Sequence, residues 1–500
     1  MPLQFATGPS STAFAIDTLA RALETAAEAA LLHHDGQLAE RLRSLSGSLG
    51  KPEAWRDNYQ RIFAELSAFE FNSADASLQR ELLHATSQHI IDPSGASLEQ
   101  LISRESLARA AGSVLTVEVR GSGPVSPLAT IGRPTAEAMI EHRLAEPGIR
   151  ASLGAYDDRV ASHPNAPVNG ELLVAIGANA ELSLAQDWLA IGGSVVAVAR
   201  AKPEKWMSLI AAARASAGVL RVPVLATRAA GVDLANLTDE HLAKLAGLDL
   251  QDDLAAIAEW VLAEAKASPA DRVVLLGSVY APGKNQILAS AAQDAVMAAA
   301  SRELDRNRLV LGWLATPLEV VVRDAKQLDQ LLEDYKKLPV AQRIRAMFWQ
   351  LFGGLKKPVA VKLRYAELPP EFAVFDYSAQ RQGSSYLYAK RIERWRADVA
   401  NRSGIRTWYQ IAPPAQTDST LSYKVVRAAF RGLAKLGSVA FEAWMLRDLL
   451  TAILIGDLKA ELTKDALADS AIHGGVWRLP YDPQTVWKPA AGMGWRELLR

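Results

Sequence analysis

A tyrosine and a lysine four residues apart have the types and spacing needed to move a proton. They are Tyr386 and Lys390, in the segment "SSYLYAKRIERW" that starts at Ser384. On a helix, residues i and i+4 lie one above the other, so the phenol and the ammonium would share a face. A free phenol titrates near about 10, and an adjacent ammonium lowers that pKa. The pattern predicts a general acid or, in the alternative, a packed tyrosine beside a solvated lysine.

A serine upstream of this pair is a candidate for holding a substrate carbonyl. Ser378 follows the predicted strand "EFAVFDYS" and precedes Tyr386 by eight residues. Its hydroxyl can donate a hydrogen bond to a carbonyl oxygen. Ser384 and Ser385 are alternatives for the same role, and Ser378 is the one that follows a strand.

The turn after the short apolar strand "ELLVAIGA" has residues that suit a dinucleotide. Gly177 ends this strand, and Ser183 lies six residues later. Such a site needs a tight turn and small residues, so that backbone N–H groups reach the pyrophosphate. The G-x-G-x-x-G pattern is absent, and Ser183 would replace the later glycines. The alternative is a plain strand-to-helix turn that binds nothing.

Two further positions bear on the choice of nucleotide. Arg200 ends the next strand, "SVVAVAR", and Lys202 follows it without an intervening acid. An arginine at this position favours the 2′-phosphate of NADP over NAD. Asp233 follows the third strand, where a carboxylate can accept from the adenine amino group. A solvated basic turn and an ordinary turn-starting aspartate are the alternatives.

The elements that must position these residues alternate between strands and helices. From about residue 166 onward, short apolar runs are separated by helical patterns, which is typical of βαβ units. We therefore predict the α/β class, with a doubly wound parallel sheet and helices on both faces. Residues 1–165 are predicted to form a mostly helical N-terminal domain, and 166–500 the sheet domain, with an inserted segment at about 318–365 and a helical C-terminal tail.

The composition excludes several classes of function. Cysteine is absent, which removes thiol catalysis, cysteine–zinc sites and disulfides. Formal net charge is zero, so the overall charge does not indicate a nucleic-acid or anionic-membrane partner. No apolar run is long enough to span a membrane, and the N-terminus lacks the features of a signal peptide. We expect a cytoplasmic protein without a metal site, since the adjacent His33 and His34 point to different helical faces.

The region from about 170 to 425 resembles the short-chain dehydrogenase/reductase superfamily, in particular its ketoacyl and enoyl reductases. In that family a serine after a strand precedes Y-x-x-x-K. A loop after the fourth strand and a P-G-x-x-x-T segment adjoin the cofactor. Here the loop is "LLGSVYAPG", with Gly277, and the segment is "PPAQT", with Thr417. The resemblance implies a Rossmann-like fold that binds NADP, with Tyr386 as proton donor, Lys390 as its electrostatic partner and Ser378 as the third catalytic residue.

The activity that the resemblance implies is hydride transfer from NADPH to a carbonyl, of 3-ketoacyl or polyketide type, or to an activated double bond. The inserted segment "RIRAMFWQLFGGL" would contribute Phe348, Trp349 and Phe352 to an apolar substrate pocket. A small molecule or acyl thioester is the expected partner, and a homo-oligomer is left open. Because the glycine turn and the Gly277 loop depart from the family pattern, two alternatives stand: a degenerate scaffold or structural subunit, and a nucleotide sensor without turnover.

Overall fold

A seven-stranded, mostly parallel sheet is the central element of this α/β protein. The computed structural model describes residues 2–6, 12–33, 35–49, 52–73, 75–126, 128, 134–379, 384–458 and 470–498. Within these residues the strands are β1 (Gln4–Phe5), β2 (Ile90–Ile91), β3 (Val114–Arg120), β4 (Glu171–Ile176), β5 (Ser194–Val198), β6 (Val219–Leu225), β7 (Arg272–Gly277), β8 (Leu309–Ala315), β9 (Val320–Asp324), β10 (Phe372–Asp376), β11 (Arg406–Ile411), β12 (Ala415–Gln416) and β13 (Phe441–Glu442).

The helices precede, connect and follow these strands. Over the same residues they are α1 (Thr12–Leu32), α2 (Gly36–Leu49), α3 (Pro52–Asn72), α4 (Ser77–Gln88), α5 (Leu98–Leu101), α6 (Arg104–Ala110), α7 (Ala136–Glu141), α8 (Ile149–Ser162), α9 (Ala185–Ala190), α10 (Pro203–Arg214), α11 (Asp239–Leu245), α12 (Leu254–Ala267), α13 (Asn285–Glu303), α14 (Lys326–Lys336), α15 (Val340–Gln350), α16 (Ser384–Arg402), α17 (Asp418–Leu421), α18 (Lys424–Ala434), α19 (Ala443–Asp457) and α20 (Trp487–Leu498).

The central sheet has the strand order β11-β8-β7-β4-β5-β6-β3. β3 is antiparallel to β6, and every other neighbouring pair is parallel. From β4 the chain adds strands toward β6, and from β7 it adds them in the opposite direction. The sequence-based prediction of an α/β fold with a parallel sheet is therefore confirmed, and β3 adds an antiparallel edge to it.

Helices cover both faces of the sheet because its central strands are apolar on both sides. β4 is buried along its whole length. Leu172 and Val174 pack in one hydrophobic cluster together with α12, α13 and α16. Leu173 and Ala175 pack in a second cluster with α8, α9, α10 and α19. This division follows from the alternation of side chains along a strand.

Helices α1 to α6 pack into the first of these two clusters, and α7 and α8 pack into the second. Leu23 of α1 and Phe63 of α3 share the first cluster with Ile257 of α12 and Ile392 of α16, whereas Met139 of α7 lies in the second. The N-terminal region also supplies β3 to the central sheet. It therefore packs on both faces of the sheet, and the boundary predicted near residue 165 stays a prediction.

The inserted segment leaves the central sheet after β8 and returns through α16. β9 and β10 pair only with each other, as an antiparallel ribbon in which Val320 faces Asp376. α14 and α15 lie between them in the chain. The strand predicted before Ser378 is therefore present as β10, but it is not a strand of the central sheet.

Candidate functional site

The carboxyl ends of the parallel strands bring together residues that are far apart in sequence. Gly177 follows β4, Gly277 ends β7, Thr316 follows β8, and Thr417 lies shortly after β11. In open α/β sheets, ligands bind at this edge, at the point where the strand order reverses. The reversal here lies between β4 and β7, so the loops at this edge form the candidate functional site.

Tyr386 and Lys390 lie in the first two turns of α16, on one face as the spacing predicts. The Nζ atom of Lys390 is 5.7 Å from the centroid of the Tyr386 ring. The side chain of Thr316, directly after β8, lies next to the phenol and lowers its pKa. Oγ1 of Thr316 accepts from the backbone N–H of Leu318 at 3.1 Å. Tyr386 keeps part of its surface accessible, whereas Lys390 is buried.

The environment of Tyr386 corrects the expected direction of its pKa shift. Burial raises the pKa of the phenol, and the neighbouring Lys390 ammonium and the Thr316 hydroxyl lower it by less. Glu393 and Glu319 raise it further, since a nearby carboxylate disfavours a phenolate. The net pKa is therefore raised above that of a free phenol. The sequence spacing identified the ammonium but could not reveal the degree of burial.

Lys390 is held by a buried hydrogen-bond chain that reaches the loop after β7. Its Nζ donates to the carbonyl of Leu314 at 3.1 Å and to Glu393 Oε2 at 2.8 Å. Glu393 Oε1 accepts from Ser290 at 2.9 Å, and Ser290 accepts from Gln286 at 3.2 Å. Burial alone would lower the pKa of the ammonium, but Glu393 and Tyr386 raise it, so Lys390 stays charged.

The N-terminal helices fix the position of α16. Glu70 of α3 accepts from Arg391 and from the indole of Trp395, each at 2.7 Å, and all three side chains are buried. The hydroxyls of Thr86 on α4 and Tyr388 are 2.9 Å apart. Tyr388 lies between Tyr386 and Lys390 in the chain, and Arg391 directly follows Lys390. These contacts therefore set the orientation of Tyr386 and Lys390.

Ser378 is buried, and its described side-chain hydrogen bonds go to Asp376, Gln60 and Gln484. It donates to Asp376 Oδ1 at 2.6 Å, while Gln60 donates to Ser378 at 3.0 Å. Thr316 is the hydroxyl residue that acts on the pKa of the Tyr386 phenol. The signal for Thr316 was present in "RLVLGWLAT", where a hydroxyl residue directly follows a buried strand.

The two predicted glycines occupy positions where a side chain would collide with the protein. Gly177 has φ +94°, and a Cβ there would lie 2.9 Å from the carbonyl of Ser278. Ser278 in turn donates its N–H to Ile176 at 2.8 Å, which ties the β7 loop to the end of β4. A Cβ on Gly277 would collide with the side chain of Gln293. Both glycines are thus required by the backbone, whether or not a ligand binds.

One polar side chain in the turn after β4 has no partner. Asn179 Nδ2 is buried and forms no hydrogen bond with any described residue. Such a donor is normally satisfied, so this one is available to a ligand or to water. Sequence analysis did not single out Asn179, because an isolated asparagine in a turn has many ordinary roles.

Of the other residues predicted to contact the nucleotide, two bond nearby backbone N–H groups and one is exposed. Ser183 is buried, and its Oγ lies 3.4 Å from the N–H of Ala185 at the start of α9. Asp233 accepts from the N–H of Ala235 at 3.1 Å and starts a short 3₁₀ turn. Arg200 is exposed just past β5, where its carbonyl accepts from the Trp206 indole. The structure thus gives Ser183 and Asp233 structural contacts and leaves the guanidinium of Arg200 accessible.

The segment after β11, which contains Thr417, contacts the turn after β4. Thr417 caps α17, with a reciprocal bond between its side chain and Thr420. The next residue, Asp418, donates its N–H to Glu181 Oε2 at 2.8 Å. The loops after β4 and β11 therefore enclose the same part of the carboxyl edge.

The aromatic residues of the insertion do not lie beside Tyr386. Phe348 and Phe352 are exposed on α15 and the turn that follows, with ring centroids 5.5 Å apart. Trp349 packs against α20, where a Cβ on Gly492 would lie 2.7 Å from its ring. Among the described residues, none of their ring contacts reaches Tyr386.

A cavity of about 720 Å³ lies at the opposite edge of the sheet. Its lining includes Arg306, shortly before β8, and Ile405, directly before β11, so it adjoins the amino ends of these strands. Its polar residues are largely engaged with one another, as in the ion pair between Arg396 and Asp294 at 2.6 Å. The cavity is therefore separate from the site at Tyr386.

No protein-family model matches this chain, and no curated protein matches it. The assignment of a function consequently depends on the geometry of the carboxyl edge.

Proposed function

We propose that this protein is an NADP-dependent reductase of the short-chain dehydrogenase/reductase type. The observation on which the proposal chiefly depends is the triad at the carboxyl edge. Tyr386 lies next to Thr316, and Lys390 lies one helical turn away, with its Nζ 5.7 Å from the centroid of the Tyr386 ring. The substrate would be a carbonyl compound, a 3-ketoacyl thioester or similar, or an activated alkene.

The strand order supports a Rossmann-like interpretation. Counting from β4, the parallel strands are β4, β5, β6, β7, β8 and β11, and their spatial order is 3-2-1-4-5-6. This order belongs to the doubly wound sheets that bind dinucleotides at the strand reversal. α16 connects the fifth and sixth of these strands, so Tyr386 would stand next to a nicotinamide bound across the reversal.

The residues present fit an NADP molecule at this edge. The tight turn at Gly177 and the unpaired Asn179 amide would face the pyrophosphate, and the exposed Arg200 would meet the 2′-phosphate. When bound, NADPH would supply the hydride. Glu181 and Thr417 belong to loops that would limit the access of water to this edge.

The chain's own residues would supply the proton. Thr316 would orient the substrate oxygen with its hydroxyl, and Tyr386 would donate its phenolic proton to that oxygen. Lys390 would stabilise the resulting phenolate. The chain from Lys390 through Glu393 and Ser290 to Gln286 keeps the ammonium charged and fixed.

A second candidate is a nucleotide-binding sensor or scaffold without turnover. It is favoured by the contacts of Lys390, since both Glu393 and the Leu314 carbonyl already bind its ammonium. In this alternative Tyr386 would pack only as a core residue, with the raised pKa that burial gives it.

Titration with NADPH and NADH, followed by fluorescence, separates these candidates. If the protein is a reductase, it should bind NADPH tightly. It should also oxidise NADPH with at least one member of a panel of ketones, 3-ketoacyl thioesters and enoyl thioesters. Binding without oxidation across the panel would indicate a sensor, and absence of binding would indicate a scaffold.

A further inference from the structure

The helix α15 presents an apolar face to solvent. The residues of this face, here called the α15 face, are each between 55% and 81% exposed. Five of them recur at helical spacing on one side of the helix, and the sixth follows in the next turn. They are Val340, Ile344, Met347, Phe348, Leu351 and Phe352.

The opposite side of α15 is anchored to the protein. Ala346 is buried in a small cluster with Leu433 and Ala490, and Trp349 packs against this cluster. α15 therefore has a firmly packed inner side. The α15 face is its outer side, and packing within the described residues leaves it uncovered.

Basic residues are concentrated in the part of the sequence that contains α15. Between residues 335 and 366 the sequence has eight lysines and arginines and no aspartate or glutamate, in a chain whose formal net charge is zero. Arg343 and Arg345 fall on either side of the apolar stripe at 100° per residue. Lys336 pairs with Glu333, and the other seven form no ion pair within the described part of the chain. The residues are Lys336, Lys337, Arg343, Arg345, Lys356, Lys357, Lys362 and Arg364.

We infer that the α15 face binds the surface of an anionic lipid membrane, with α15 parallel to the bilayer plane. An apolar stripe of leucine, isoleucine and phenylalanine bracketed by arginine is the pattern of interfacial helices, which insert about 5–10 Å. The flanking cations complement anionic headgroups. No helix in the described residues is long and apolar enough to cross a membrane, so the contact would be peripheral.

Charge argues against a second copy of the chain as the occupant. Two α15 faces brought together would place Arg343 and Arg345 of each copy near those of the other, and like charges at close range are repulsive. An acidic protein could complement the same charge. The membrane is favoured because it complements the apolar stripe and both basic flanks at once, without a groove in a partner to receive the helix.

The test is flotation of the full-length protein with vesicles of phosphatidylcholine, with and without phosphatidylglycerol. Binding is expected only to the vesicles that contain phosphatidylglycerol, and it should weaken as salt increases. Leu351→Asn should lower the partition coefficient by about tenfold, because a leucine side chain leaves the apolar layer. Leu32→Asn is the matched control, since Leu32 is 80% exposed on α1, and this change should have no effect.

The charge contribution has its own pair of variants. Arg343→Gln/Arg345→Gln should lower the partition by about tenfold or more, since each cation near an anionic surface contributes about fivefold. Arg104→Gln/Arg109→Gln removes two exposed arginines from α6 and should change little. Arg343, Arg104 and Arg109 are exposed and Arg345 is half-buried, and circular dichroism will verify that both double variants stay folded.

Three results would overturn the inference. Equal vesicle binding by Leu351→Asn and Leu32→Asn would remove the α15 face from the contact. Absence of vesicle binding together with self-association that Leu351→Asn abolishes would assign the face to a second copy. Absence of both would assign it to a protein partner.

Discussion

At the scale of single residues, the candidate site depends on hydroxyl groups whose neighbours differ. Thr316 lies next to Tyr386 and Lys390, whereas Ser378 is enclosed by Asp376, Gln60 and Gln484. Both are buried hydroxyl residues. In the proposed reductase, Thr316 is the one that meets the substrate at the carboxyl edge.

We therefore expect removal of the Thr316 hydroxyl to lower turnover and removal of the Ser378 hydroxyl to lower stability. Thr316→Val keeps the shape and removes the hydroxyl, and we expect turnover to fall by about tenfold or more while NADPH affinity is retained. Ser378→Ala should leave turnover unchanged and lower the free energy of unfolding by about 1–3 kcal/mol, because the buried Asp376 loses one of its hydrogen-bond donors. Steady-state kinetics and urea unfolding on both variants check this. The reverse pattern would restore Ser378 to the site.

Arg200 is the residue that tests the choice of cofactor. Arg200→Ala should weaken NADPH binding by about tenfold or more and change NADH binding little, because a charge-assisted contact to the 2′-phosphate is lost. Lys205→Ala is a suitable control, since Lys205 is an exposed cation on the neighbouring helix α10. Fluorescence titration gives both affinities. Equal weakening for both cofactors would refute the assignment.

At the scale of elements, α16 is positioned by contacts from the N-terminal helices. The ion pair of Arg391 with Glu70 is buried, and Glu70 also accepts from Trp395. A helix that begins at the carboxyl edge would otherwise be free to rotate its tyrosine away from Thr316. The mostly helical N-terminal region thus acts as a support for the site.

Removing this support should be costly. Glu70→Ala leaves the Arg391 guanidinium buried without its carboxylate, and we expect a loss of about 3–5 kcal/mol in the free energy of unfolding. Glu333→Ala, which breaks the exposed pair with Lys336, should cost about 1 kcal/mol or less. Urea titration measures both. Similar losses for the two variants would show that α16 does not depend on the buried pair.

Sequence patterns predicted the sheet well and the site only in part. Strands such as β4 and β7 are continuous apolar runs, because both faces are buried, and this signal is local. β10 carries the same signal, but its pairing with β9 outside the central sheet depends on long-range contacts. For that reason the shared face of Tyr386 and Lys390 could be predicted from their spacing, whereas the proximity of Thr316 to Tyr386 could not. The capping contacts of Ser183 and Asp233 match the alternative of ordinary turns.

At the scale of the whole molecule, buried carboxylates shape the dependence of stability on pH. Burial raises the pKa of Asp187 and of Asp376 to about 6, despite the hydrogen bonds that lower it. A carboxyl with a raised folded-state pKa contributes stability that is present below about 3.8 and is lost as the pH rises through about 6. Glu146 has the opposite behaviour, since Arg478, Arg323 and His473 outweigh its burial and bring its pKa to about 2.

Asp376→Asn should consequently remove one pH-dependent contribution. The free energy of unfolding of the variant minus that of the wild type should increase by on the order of 1–3 kcal/mol from about pH 4 to about pH 7.5. The reason is that the variant has no carboxyl to ionise in a buried site. Thermal or urea unfolding at the two pH values gives the difference. A wild-type-minus-variant difference that does not change with pH would contradict the raised pKa.

The most direct test of the proposed reductase is the exchange of Tyr386 for phenylalanine, with Tyr388 as its control. Both tyrosines lie on α16, and Tyr388 bonds Thr86 far from the proposed substrate. On the best substrate of the panel, Tyr386→Phe should lower turnover by about 10²-fold or more with NADPH affinity unchanged, because the proton donor is lost. Tyr388→Phe should reduce stability and leave turnover intact. Full turnover in Tyr386→Phe would contradict the account.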